Sequence, residues 1–368
     1  MDYMIETYDV DTSSSVGTVV LEDCIMQKDK KTEAGSKILA GFTSLFDAEV
    51  VTRLKNAGYV VVGRAQMQEF GIAPLWNPTA DADPAHNSAC SRTVSGAVSA
   101  VAEGQADFAL CNDFSGIHRK AAAQCGLAYL HPTYGTVSRY GVIPMIASMD
   151  QVGVVCKDPA AGYRLLAAIR GADAKDGAMF PETPAAATPE RPVIGISNAL
   201  TVGSCDTVPV DLPYMDVCKQ VMYILGAAEI SNNINRYDGI KFGYRTENYK
   251  NLNELYLKSR SEGFGDAVKL TAIMGSMVLS TEFYDKFYDK AMRVRRLIKE
   301  SMTFEGYDVI ALPVYDGKDP YEDSGYLALA PLAGLPSLTV SVGGKAVQLI
   351  GRVGGEASLV TAWEVMTR

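Results

Sequence analysis

The chain has 368 residues, a mass of 39.5 kDa and a formal net charge of −9 at pH 7; 48% of its residues are hydrophobic and 21% charged. That is globular composition, with enough chain to bury a sizeable core without disulfides or metal, and it excludes disordered and fibrous classes. The acidic balance argues against direct nucleic-acid binding, which needs clustered Lys and Arg.

No run of 18 or more apolar residues occurs, so neither a transmembrane helix nor a membrane partner is expected. The opening MDYMIETYDVDTSSS lacks the basic-then-apolar order of a secretory signal, and a cytoplasmic location is expected.

Residues 17–26 (GTVVLEDCIM) predict a short strand running into a turn, and the polar 27–35 a loop. Asp47 is the expected N-cap of a helix whose apolar positions are Val50, Val51, Leu54 and Ala57, with Gly58 at its end. Tyr59 to Val62 predict a strand, 94–104 a closely packed helix of small residues, and 106–111 a buried strand. Residues 173–192, rich in Ala, Pro, Asp and Glu, read as a surface linker or excursion within one domain spanning 1–368. Phe283, Phe287, Ala291, Val294 and Ile298 predict one face of a long helix. Val309 to Leu312 predict a strand ended by Pro313. Leu338–Val342 and Val347–Ile350 predict a hairpin across Gly343 and Gly344. Helices alternating with strands imply an α/β fold.

Seven cysteines are scattered without a CxxC, and the three histidines are His86, His118 and His131. Free, mostly core-filling thiols are expected in a chain of this size without a secretion signal. His86 and Cys90, four apart, read as a loop histidine and a buried thiol. No metal or other cofactor is expected.

Four stretches together resemble the amidase signature family: FDAEVVTRLKNAGYVVVGRAQMQEF (46–70), HPTYGTVSRYGVIP (131–144), RYDGIKFGYRTENYKNLNELYLKSRSEGFG (236–265) and LAGLPSLTVSVG (332–343). Within that family the third is similar to the A subunit of glutamyl-tRNA(Gln) or aspartyl-tRNA(Asn) amidotransferase. The resemblance implies an α/β/α fold with a central mixed sheet covered by helices on both faces. It implies acyl transfer by a Ser–Ser–Lys triad: a neutral lysine takes a proton, a middle serine relays it, and a second serine attacks an amide carbonyl beside backbone N–H donors.

The departures from that pattern carry the functional expectation. The family's lysine position falls on Glu22, its middle serine on Thr93 and its nucleophile on Ile117. Arg92 and Val94 stand where the family has flanking glycines, which allow close backbone approach. Isoleucine has no atom that can attack a carbonyl. Loss of a triad member leaves at best a residual ~10³–10⁴-fold over water. The chain is therefore expected to be inactive as an amidase and to serve as a binding or scaffolding protein. Its expected partner is a B-subunit-like protein, another enzyme or a second copy of itself.

Positions that hold glutamine in the related subunit fall on Leu270 or Thr271 and near Ser324, with Asp323 adjacent, so glutamine binding is expected to be lost. The segment before the lysine turn and the region 192–213 read as shortened relative to the family. The remodelled pocket is expected to hold Cys24, Cys90, Cys111, Asp113, Ser115, Gly116, His118 and Arg119. Ser115 or a cysteine there is a candidate for altered chemistry, and an active amidotransferase subunit remains the alternative should the register be wrong. A buried Glu22 needs a cation, and Arg119 or His118 is the expected partner.

Overall fold

The protein is described from a computed structural model, which covers residues 3–72, 95–197, 200, 207–315 and 320–367, with the side chains of 320–324 outside the description. In chain order the elements are β1 (Met4–Thr7), β2 (Gly17–Glu22), α1 (Glu49–Asn56), β3 (Tyr59–Ala65), α2 (Gly96–Ala102), β4 (Phe108–Asn112) and α3 (Ile117–Gln124). Then follow β5 (Ala128–His131), β6 (Val152–Cys156), α4 (Pro159–Ile169), β7 (Ile194–Ile196), β8 (Thr207–Pro209) and α5 (Met215–Asn233). The last are α6 (Leu252–Gly263), α7 (Asp266–Val278), α8 (Lys290–Ser301), β9 (Val309–Pro313), α9 (Pro320–Ala333), β10 (Ser337–Val342), β11 (Lys345–Gly351) and α10 (Glu356–Thr367).

The strands form one mixed sheet in the order β1-β3-β2-β4-β6-β5-β10-β11-β9-β7-β8. Strands from before and after 173–192 share it, because β5 pairs antiparallel with β10. The excursion is tied back to the body: Ser138 Oγ donates to Asp173 (2.6 Å) and Arg139 pairs with Asp176 (2.8 Å).

The period-2 alternation of β2 and β4 sorts their side chains between two cores. Val19, Leu21, Phe108 and Leu110 join a large core with α1, α4 and α10. Val20, Ala109 and Cys111 point the other way, into a smaller core with Ala97 and Val98 of α2 and Ala121 and Ala122 of α3. Small residues there let α2 and α3 sit close to the sheet. Burial of each branched aliphatic in either core contributes roughly 1.5–3 kcal/mol. On the far part of the sheet α5 packs against α7, α8 and α9.

Most expected elements are present. The hairpin is β10–β11, with Val342 opposite Lys345. Its turn needs two left-handed residues, which Gly343 (φ 56°) and Gly344 (φ 77°) supply.

Two expectations are corrected. Asp47 does not cap α1: the cap residue is Ala48, and the Asp47 carboxylate accepts the Lys28 backbone N–H (2.8 Å) and pairs with Lys55. A loop amide distant in sequence outcompeted the helix end. The face drawn through Phe283 and Phe287 also breaks. Tyr284–Asp289 form a wide i→i+5 turn before α8, so Phe287 is exposed while Tyr288 packs on the core. A 3.6-residue period loses register across such a turn. Ala291 and Ile298, beyond it, are buried as expected.

Candidate functional site

The site lies where β2, β4 and α3 meet. Leu21 of β2 sits beside Leu110 of β4 in parallel register, so Glu22 ends its strand next to Cys111. Alternation turns both toward α2 and α3. Glu22 is 1% exposed. Its Oε2 accepts the Asn112 backbone N–H (2.8 Å) and the Cys24 thiol (3.4 Å).

The cation facing Glu22 is His118, one of the two expected partners: Nε2 lies 2.8 Å from Oε1. The other ring nitrogen, Nδ1, is 2.8 Å from Ser95 Oγ at the N-cap of α2. Burial opposes protonation of His118, but the charge and hydrogen bond of Glu22, and then the charge of Asp113, more than offset it, and its pKa is raised.

Arg119, the other expected partner, is taken by Asp113 instead. Nε donates to Asp113 Oδ2 (3.0 Å), with both side chains fully buried. Nη1 donates to the Leu327 carbonyl (2.8 Å) and to Gln348 Oε1 (2.7 Å), which locks α3 to α9 and β11. Asp113 Oδ1 accepts the Gly116 N–H (2.6 Å), closing the turn into α3. Burial pushes the Asp113 carboxyl up, yet Arg119, His118 and His131 leave it below the usual range. The Asp113 carbonyl only accepts, so His131 Nε2, at 2.9 Å, carries the proton there.

Gly116 sits at φ 89°, and a Cβ there would lie 2.5 Å from Leu327 Cβ. Both the left-handed strain and the clash point one way. Gly116→Ala is expected to destabilise by roughly 3 kcal/mol, read from the midpoint of urea unfolding; a loss below about 1 kcal/mol would mean that the turn relaxes freely.

Of the remaining expected site residues, Cys24 and Cys111 stay beside Glu22. Ile117 is buried at the first turn of α3. Ser115 is buried and its Oγ has no hydrogen-bond partner, so no base touches it. Cys24 and Cys111 are fully buried, and burial followed by the Glu22 charge pushes both thiols well up, the reverse of what a free nucleophilic thiolate needs. Cys90 and Thr93 lie outside the described residues, as do Arg92, Val94 and His86. Leu270 is half-exposed on α7, and Thr271 Oγ1 bonds its own helix at the Ala267 carbonyl (2.7 Å). Asp323 and Ser324 fall outside the described side chains.

Three structural partners escaped the sequence reading. Ser95 shows the signal of a serine before a small apolar helix. Gln348 is a lone amide inside an apolar strand. Arg64, which donates to Asp23 Oδ1 (2.6 Å) and the Asp23 and Ile25 carbonyls, carries no local signal.

Comparison with known proteins bears on this arrangement. The family model described as Amidase matches residues 18–204 and 198–360. The chain belongs to the amidase family. Its relatives include the A subunit of glutamyl-tRNA(Gln) amidotransferase from Lachnospira eligens, 34% identical over 93% of this chain and 82% of that protein. The protein of the same name from Listeria monocytogenes is 35% identical over 88% of this chain and 76% of its own length. Among solved structures, the Thermotoga maritima protein of that name matches at 24% identity and a TM-score of 0.73, covering 98% of this chain and 85% of that one. A crystal structure of an amidase matches with a TM-score of 0.73 at 20% identity, covering 98% and 90%. These structural matches bear out the expected family fold, with its mixed sheet and surrounding helices. Among the described residues no helix is long and apolar enough to cross a membrane.

Proposed function

We propose that this chain is an amidase-family protein that does not perform the family's acyl transfer and works as a binding or scaffolding protein. The observation that carries the reading is the buried Glu22–His118 pair. The resemblance assigns position 22 to an amine that must be neutral to accept a proton. A carboxylate held against an imidazole offers no such base, and Ile117 offers no nucleophile. Glu22, Thr93 and Ile117 are thus read as degenerate triad positions. The relatives are named as subunits of an amidotransferase, which supports a B-subunit-like partner. Successive helices α6 and α7 leave Leu252, Leu257, Leu270 and Ile273 exposed, the kind of surface a partner covers. With a net charge of −9, any RNA contact falls to the partner, and the reading places the pair in the cytoplasm.

The test is ammonia release from glutamine and simple amides, by the chain alone and with a co-expressed B-subunit-like protein. Wild type and Ile117→Ala are expected to match, both at the uncatalysed background. Amide turnover by the wild type above that background would overturn the reading. Turnover or serine-probe labelling lost in Ser115→Ala would establish altered chemistry at Ser115 instead.

A further inference from the structure

Glu22, Cys111 and His118 bring a carboxylate oxygen, a sulfur and an imidazole nitrogen within 4.8 Å of one another, all buried. They come from β2, β4 and α3, three elements that no sequence spacing links, which is why no zinc pattern is legible in the sequence. We propose that these three side chains form a closed site for a soft divalent cation, Zn²⁺ by the chemistry of its donors.

The donor set fits. Carboxylate, thiolate and imidazole together suit Zn²⁺ and not Mg²⁺ or Ca²⁺, which take oxygen. Metal–ligand bonds of about 2.0–2.3 Å in a tetrahedron set the donors about 3.3–3.7 Å apart. The donors, all within 4.8 Å of one another, need only local adjustment to reach that spacing, including an opening of the Glu22–His118 approach from 2.8 Å. Two of the three ligands are also oriented from behind: Ser95 Oγ sits on His118 Nδ1 and the Asn112 N–H on Glu22 Oε2. Outer-shell contacts of that kind fix tautomer and direction in metal sites. Binding releases the Cys111 proton, and any proton held on His118 Nε2, to solvent. The inference stands on this donor geometry, whatever the outcome of the amide-hydrolysis test.

The experiment is metal analysis of the full chain expressed in zinc-supplemented medium, followed by the same measurement on protein expressed with cobalt. Wild type is expected to retain about one metal ion per chain through gel filtration. The cobalt form is expected to show thiolate-to-cobalt charge-transfer bands in the near ultraviolet. Cys111→Ser should abolish those bands, His118→Gln should lower metal content at least tenfold, and Cys156→Ser, on β6, should leave both unchanged. Far-ultraviolet circular dichroism checks folding, and Cys111→Ala replaces the serine variant should that one not fold. Wild-type protein that retains no stoichiometric zinc or cobalt would overturn the proposal. So would metal retained equally by the Cys111 and His118 variants.

Discussion

Replacing Asp113 with alanine is expected to destabilise the fold by about 3–5 kcal/mol, measured by urea unfolding at neutral pH, because it leaves Arg119 charged and unpaired where no water reaches it. Arg119 and Asp113 are each fully buried at their side chains. The Asp113 carboxylate holds Arg119 Nε, the Arg119 backbone N–H (3.2 Å) and the Gly116 N–H. With it gone, Arg119 keeps the Leu327 carbonyl and the Gln348 amide oxygen, which solvate the guanidinium but do not neutralise it. The double variant Asp113→Ala/Arg119→Met is expected to recover part of the loss, with a coupling of about 1–3 kcal/mol. Losses that simply add would show that the pair is not the source of the effect. A large loss with strong coupling would confirm that the turn into α3 is held by charge, and would account for Arg119 being unavailable to Glu22.

Acid is expected to unfold the protein through His131. This ring is fully buried, and burial first, then the Arg119 charge, lower its pKa to about 3, with Asp113 opposing. In the unfolded chain it titrates near its ordinary value of about 6.5. Between these values the unfolded state binds the extra proton. The contribution of neutral His131 is therefore fully present above about pH 6.5 and is lost as pH falls toward 3. By pH 5 the loss from this group alone is about 2 kcal/mol, and the full span is on the order of 4–5 kcal/mol. Urea midpoints measured between pH 7.5 and 4 check it. His131→Gln, which can still donate to the Asp113 carbonyl, should flatten the acid limb; an unchanged limb would place the acid sensitivity elsewhere. His118 acts with the opposite sign, because its pKa is raised: its contribution is present below about pH 6.5 and is lost as pH rises through the higher folded value.

What was readable in the sequence was local or carried by resemblance. The β10–β11 hairpin announced itself because two glycines between alternating apolar runs admit a single kind of turn. The buried strand β4 followed from the apolar run at 106–111, and the family fold from long motif matches. Local rules failed where a distant group intervened. Asp47 met a loop amide before it could cap α1, and a widened turn moved Phe287 off the buried face of its helix.

The amino-acid order alone determined that an aliphatic side chain stands at 117 and a carboxylate at 22, because residue chemistry is independent of folding. Only the tertiary structure decided what answers that carboxylate. The parallel register of β2 and β4 set Glu22 beside Cys111, and Asp113 drew Arg119 away. His118 was then the cation left facing Glu22, since a charge out of water pairs with whatever opposite charge the packing places within reach.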